Sequence, residues 1–167
     1  MFLQEDDVRI VSTVADDPDL VHLSQDYGVL QNLSETRLYS EPMPTSMVFR
    51  IEYEDHLVGE ISLKTIKWFN RKAEVSIFIA KEYQGKGLAK KAMFALMRFA
   101  FKTMNLNRLE AEVVDYNERV KSLIEELGFT FEGRLRKAKY FDGRYYDILR
   151  YGILSPEYFE KNSEEAK

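Results

Sequence analysis

Gln84-Gly85-Lys86-Gly87-Leu88-Ala89 carries the clearest chemical signal in this chain of 167 residues. Two glycines let a backbone turn tightly and approach a ligand closely. If a helix starts at Leu88, its first N–H groups have no partner within the helix and lie at the positive end of its dipole. A loop of that kind takes an anion, and a phosphate group fits it. Lys86, Lys90 and Lys91 add positive charge around it. The spacing is neither G-x-x-x-x-G-K-[ST] nor the dinucleotide pattern G-x-G-x-x-G. The plainer alternative is a tight turn feeding a packed helix. Four carboxylates, Glu60, Glu74, Glu110 and Glu112, stand in strand-like stretches. Asn117 precedes an amphipathic run, where the cap of a helix is its ordinary role.

The elements that must hold these groups can be read from periodicity. Over Ala73–Ala80, Val75, Ile77 and Ile79 alternate with Ser76 and Phe78, which is the period of a strand. From Leu88 the period becomes helical to about Met104, with Leu88, Ala92, Ala95 and Phe99 on one face and Lys91, Arg98 and Lys102 on another. Residues 47–64 read as a hairpin around Glu54-Asp55-His56. Trp68-Phe69-Asn70-Arg71 is a connection whose rings pack on the core or border a pocket. Arg108–Val114 is a further strand. Val120, Leu123, Ile124 and Leu127 recur at helical spacing, and Gly128 stops that helix. A strand begins near Phe129, Asp142-Gly143 turns it, and Tyr145–Leu154 returns. Ser155-Pro156-Glu157 starts a short last helix that frays from Asn162. Earlier in the chain, Val8–Val14 reads as a strand. Asp16 to Asp19 starts a helix with Leu20, Leu23 and Tyr27 on one face and Gly28 as its stop. Leu30–Tyr39 reads as a second short helix, and Pro42 and Pro44 mark a loop.

Composition bounds the rest. The length and a hydrophobic share of 45% suit one domain, residues 1–167, with a sizeable core. A net charge of −4 argues against nucleic acid as a partner. There is no cysteine, which removes disulfides, thiolate ligands and a covalent cysteine mechanism. His22 and His56 have no ligand-spaced partner, so no metal is expected. No apolar run is long enough to cross a membrane, and the acidic N-terminus lacks a signal-peptide core, so the expected location is the cytoplasm.

Three features occur together and in order: the strand-loop-helix with Gln84–Ala89, the segment NERVKSLIEELGF from Asn117, and the closing hairpin KYFDGRYYDILRYGIL. Over about residues 45–155 they resemble the GNAT superfamily of N-acetyltransferases. The likeness is greatest to the branch with spermidine N-acetyltransferases and ribosomal-protein N-terminal acetylases. The resemblance implies an α/β (α+β) fold with a mixed, mostly antiparallel sheet and helices on both faces. It also implies a splay between the strands Ala73–Ala80 and Arg108–Val114. Acetyl-CoA would enter that cleft as co-substrate. Its pantetheine amides would pair with the backbone of Ile77, Phe78 and Ile79, and its pyrophosphate would meet the N–H groups of Gln84, Gly85, Lys86, Gly87, Leu88, Ala89 and Lys90. Asn117 matches the family asparagine that touches the cofactor arm. The acceptor would be a primary amine of a small molecule such as a polyamine, or a protein N-terminus. The resemblance leaves a homo-oligomer open.

Transfer to an amine needs removal of its proton, a donor for the developing oxyanion, close positioning and a leaving thiolate. A strand N–H near Phe78 or Ile79 is the expected oxyanion donor. Glu74 is the first candidate for the base, since it precedes the loop where some family members carry theirs. Glu60, Glu110 and Glu112 are its rivals, and the plain reading of Glu74 is a solvated charge or a pair with Arg71 or Lys72. Tyr140, Tyr145, Tyr146 and Tyr151, with the early helices, are candidates to line the acceptor side. The tyrosine that many relatives carry seven residues after the asparagine is replaced by Ile124, so the usual general acid is missing. A second reading therefore stands beside the enzyme, an acyl-CoA-binding module of the same fold without catalysis.

Overall fold

The structure is a computed structural model and describes residues 2–5, 8–14, 16–34 and 43–163. It divides into two compact units, Met1–Pro42 and Met43–Lys167.

In the first unit, β1 (Phe2–Glu5) pairs antiparallel with β2 (Val8–Val11), so the expected first strand is half of a hairpin. Asp17 caps α1 (Pro18–Ser24), its side chain accepting from Asp19 N at 3.0 Å and Leu20 N at 3.4 Å. Gly28 does not end a helix. It sits inside the short α2 (Tyr27–Leu30), whose start is fixed by Asp26 accepting from Gly28 N at 2.9 Å. The expected second helix, Leu30–Tyr39, falls outside the described residues beyond Ser34.

The second unit is built on one sheet. Its strands are β3 (Met47–Tyr53), β4 (His56–Lys67), β5 (Lys72–Ile79), β6 (Arg108–Val114), β7 (Thr130–Phe141) and β8 (Arg144–Leu154). Their order is β3-β4-β5-β6-β8-β7, and every pairing is antiparallel except β5 with β6. Two-residue turns close the β3–β4 and β7–β8 hairpins. Glu54 and Asp55 have φ of 50° and 62°, and Asp142 and Gly143 have 49° and 75°. Positive φ at both central positions matches the twist of the flanking strands. His56 therefore opens β4 rather than belonging to the turn.

Strand alternation gives the sheet two different faces. One carries Ile61, Leu63, Val75, Ala111, Leu149, Tyr151 and Ile153, all buried in the core with α3 (Leu88–Arg98), α4 (Glu118–Glu126) and α5 (Ser155–Lys161). The other carries Lys64, Lys72, Glu74, Arg108, Glu110, Glu112 and Arg150, in register across neighbouring strands. Gly152 belongs to this charged face: a Cβ there would strike the side chains of Arg108 and Glu132, so glycine lets that ion pair lie across β8.

The buried stripe of α3 is Leu88, Met93, Leu96 and Met97, not the expected face of Leu88, Ala92, Ala95 and Phe99. The longer Met and Leu side chains fill the space over the sheet, and Ala95 is exposed. The helix then widens into a π-helical turn, Phe99–Thr103. Trp68 packs against the core and donates Nε1–H to Pro44 O at 2.7 Å, while Phe69 stays exposed.

Candidate active site

The site begins where the two parallel strands part. Pairing of β5 with β6 stops at Val75↔Ala111, although β5 runs on to Ile79 and β6 to Val114. Backbone direction alternates along a strand, and Ala80 N donates to Val58 O at 2.7 Å. Phe78, two residues earlier and opposite Glu60, therefore also turns its N–H and C=O towards β4. Ile77 and Ile79 turn theirs towards the gap. Of the three residues expected to offer backbone to a carrier, only Ile77 and Ile79 turn it to the gap; Phe78 lines the gap with its side chain, and its N–H faces β4.

The gap leads into a cavity of about 380 Å³. Its wall takes Ile77, Phe78 and Ile79 from β5, Gln84, Gly85, Gly87, Leu88, Ala89 and Lys90 from the loop and α3, and Asn117, Val120 and Leu123 from α4. Gly85 and Gly87 have φ of 82° and 73°, the left-handed region that glycine enters without cost. Gly87 is the N-cap of α3 and offers no side-chain cap. A Cβ on Gly87 would meet nothing within 4 Å, so the loop presents bare backbone to open space. Gln84 ties the loop to the strand, its Nε2 donating to Ile79 O at 2.9 Å.

The positive charge is arranged differently from the sequence reading. Lys86 is not among the lining residues. Its Nζ lies 5.7 Å from the Tyr53 ring centre and 5.5 Å from that of Tyr83. Lys91 faces a separate cavity of about 510 Å³ between β3 and α3. That cavity is larger, but it has neither the glycine loop nor strand backbone turned into a gap. Lys90 does line the site and pairs with Glu126 at 2.5 Å. The other cation there is Arg119, whose Nη1 donates to Gln84 Oε1 at 2.7 Å. Arg119, Glu126 and Tyr83 escaped the sequence reading. Arg119 could have been found as a basic residue in the first turn after the Asn117 cap.

Asn117 fits both of its readings. Its Oδ1 accepts from Val120 N at 3.3 Å as the cap of α4, and the residue lines the cavity. Ile124 is 2% exposed and belongs to the core, so no polar group occupies its position.

Glu74 lies one residue before the last β5–β6 pair, on the charged face, opposite Glu110. It pairs with neither Arg71 nor Lys72: Arg71 donates to Asn105, and Lys72 donates to Glu110 at 3.1 Å. Burial pushes the Glu74 carboxyl above the ordinary carboxylate range, and the charges of Glu112 and Glu110 push the same way against Arg150 and Lys64. Glu110 is the opposite case. Burial raises it, but hydrogen bonds from Arg108 and Lys72 outweigh that and hold it below its ordinary value. Glu112 has Arg150 at 3.8 Å, and Glu60 on β4 stands opposite Phe78 on β5. Glu74 is thus raised towards the pH at which a base works, while Glu110 is held down.

The tyrosines separate. Tyr151 is 1% exposed and donates to Glu125 Oε1 at 3.0 Å, so it is part of the helix-side core and not of an acceptor pocket. Tyr146 meets Tyr116 edge to face, with ring centres 4.8 Å apart. Tyr140 and Tyr145 pair across the exposed hairpin end. Among the described residues no cluster of His, Cys, Asp and Glu could hold a metal, and no helix is long and apolar enough to cross a membrane.

The sheet thus opens between two parallel strands, with a glycine loop at the end of the gap. Residues 4–149 match the family model of the acetyltransferase (GNAT) domain. The chain belongs to the GNAT family and is an N-acetyltransferase by that membership. It is 37% identical over 106 residues to the candidate ribosomal N-acetyltransferase YdaF of Bacillus subtilis, covering 64% of this chain and 58% of that one. The match thus spans less than two thirds of YdaF. It is 29% identical to the spermidine N(1)-acetyltransferase of Vibrio cholerae over 165 residues, which cover 96% of this chain and 94% of that one. A crystal structure of mutant forms of the spermidine/spermine N-acetyltransferase SpeG from Vibrio cholerae superposes with a TM-score of 0.67 at 32% identity, covering 71% of this chain and 72% of that one.

Proposed function

We propose that this chain transfers an acetyl group from acetyl-CoA directly to a primary amine, either of a polyamine-like small molecule or of a protein N-terminus. The observation that carries the reading is the parting of β5 and β6, with Ile77 and Ile79 backbone turned into the gap and the glycine loop at its end. Pantetheine pairs with Ile77 and Ile79 as a short added strand. The diphosphate takes the N–H groups from Gln84 to Lys90, and Asn117 borders the arm between them. The amine approaches from the charged face. Glu74 accepts its proton, directly or through water, and a gap-facing backbone N–H of β5 steadies the oxyanion. The expulsion of CoA thiolate completes the transfer without a covalent enzyme intermediate. The name of the Vibrio cholerae relative supports a polyamine, and that of YdaF supports a protein terminus. Residues 1–167 act as one domain in the cytoplasm; the family match over residues 4–149, which crosses both units, supports the single domain. A dodecameric structure of the Vibrio cholerae enzyme supports a homo-oligomer. Incubation with acetyl-CoA and a panel holding spermidine, spermine and N-terminal peptides should release free thiol with at least one amine. Tight acetyl-CoA binding without thiol release from any amine would leave the reading as a binding module.

That second reading rests on Ile124, a core residue where many relatives carry a general acid. Its absence is tolerable, because a thiol has a pKa near about 8.5 and its anion leaves readily near neutral pH. We expect kcat to rise with pH and then stay level between about pH 8 and 10, the range leading up to the tyrosine pKa. A descending limb that vanishes in Tyr116→Phe or Tyr140→Phe would show that another tyrosine supplies the proton.

A further inference from the structure

We infer that Arg119 is a phosphate-recognition residue that fixes the diphosphate of the acyl carrier from the α4 side, facing the glycine loop; this rests on the acetyl-CoA reading of the cavity. Three observations meet at this side chain. It lines the cavity from the first turn of α4, opposite the loop. Its Nη2 lies 3.9 Å from where a Gly85 Cβ would stand, so the guanidinium borders the bare backbone of the loop. Its Nη1 is held by Gln84 Oε1 at 2.7 Å, and the Gln84 amide is itself fixed to Ile79 O. One glutamine thus joins the end of the strand, the loop and the guanidinium.

The partner of Arg119 is a neutral amide, so its positive charge is not neutralised there. The other lining cation, Lys90, already has a carboxylate in Glu126. Arg119 is therefore the cation at this cavity with charge to give to an anion. A planar guanidinium with five N–H donors can keep Gln84 on one edge and offer another to a phosphate oxygen. Backbone N–H groups and the α3 dipole then hold the diphosphate from one side and Arg119 from the other.

The test uses the full chain, three probes and two variants. The probes are acetyl-CoA, acetyl-3′-dephospho-CoA, which keeps the diphosphate, and S-acetylpantetheine, which has neither phosphate nor nucleotide. Calorimetry or inhibition constants give the affinity of each. Arg119→Gln should weaken acetyl-CoA and its 3′-dephospho form alike, by about tenfold or more, as loss of a charge-assisted hydrogen bond implies. It should also flatten the salt dependence of binding, and Arg119→Lys should recover part of the loss. The weakening should not extend to S-acetylpantetheine. Equal weakening of all three probes would overturn the inference and make Arg119 a brace for the loop through Gln84. Weakening of acetyl-CoA alone would overturn it in favour of the 3′-phosphate. Unchanged affinity for acetyl-CoA would overturn it outright. A wild-type protein that binds none of the probes would refute the parent reading of the cavity, a result distinct from the other three.

Discussion

Glu74→Gln will lower kcat by about 10²–10⁴-fold near neutral pH, the range general acid–base catalysis supplies, and leave acetyl-CoA affinity nearly unchanged. The expected direction follows from its position. Glu74 is at the point where β5 and β6 part, on the face away from α3 and α4, free of the ion pairs that engage Glu110. Its raised carboxyl makes it a stronger base once ionised, and wild-type activity should climb as pH rises through that raised value. The same shift carries a stability consequence with a definite sign. Below the ordinary carboxylate range, folded and unfolded chains are both protonated at this position. Between the ordinary value and the raised one, the unfolded chain ionises first, so stability falls as pH rises, and above the raised value the penalty is present in full. Glutamine carries no such penalty. Glu74→Gln should therefore melt higher than wild type near neutral pH, with the gap closing under acid. Full activity of Glu74→Gln from pH 6 to 9 would remove Glu74 as the base and turn attention to Glu60 and Glu112.

The second large effect belongs to the loop. Gly87→Asp should weaken acetyl-CoA binding by about five- to hundredfold, since a carboxylate some 5 Å from a phosphate costs about 1–3 kcal/mol at a partly wet site. Backbone strain alone could also disturb the loop, because Gly87 has φ of 73°. Gly87→Asn separates the two causes. Asn has nearly the shape of Asp and tolerates the left-handed region about as well, but carries no charge. The open space beside Gly87 admits either side chain. Asn should bind acetyl-CoA far better than Asp. If the two variants bind alike, charge at the loop is irrelevant and the diphosphate lies elsewhere.

How much of this was legible in residue order depended on the kind of signal. Strand alternation over Val75, Ile77 and Ile79, the glycine pair and the helical run to Leu127 are local, and each gave its element within a few residues. The buried stripe of α3 did not follow, because helical spacing also fits Leu88, Ala92, Ala95 and Phe99, and only packing over the sheet decides for Met93 and Met97. Backbone direction in β5 was equally hidden. Whether Phe78 or Ile79 turns its N–H to the gap depends on the register with β4, and one residue of slip would reverse it. Arg119 was missed because its proximity to Gln84 spans 35 positions in the chain. Tyr151 was misplaced because a strand rich in tyrosine shows nothing of which ring is covered by α4. Near the N-terminus, β1 and α2 are short, and Asp26 rather than any apolar period sets the second of them.

The most direct test of the acetyl-CoA reading is the structure of the protein with CoA bound. The account predicts pantetheine lying in the gap beyond Val75 and Ala111, its amides paired with the backbone of Ile77 and Ile79. It also predicts the diphosphate on the N–H groups from Gln84 to Lys90. CoA bound in the cavity between β3 and α3, or β5 and β6 closed on each other with the carrier outside, would contradict it.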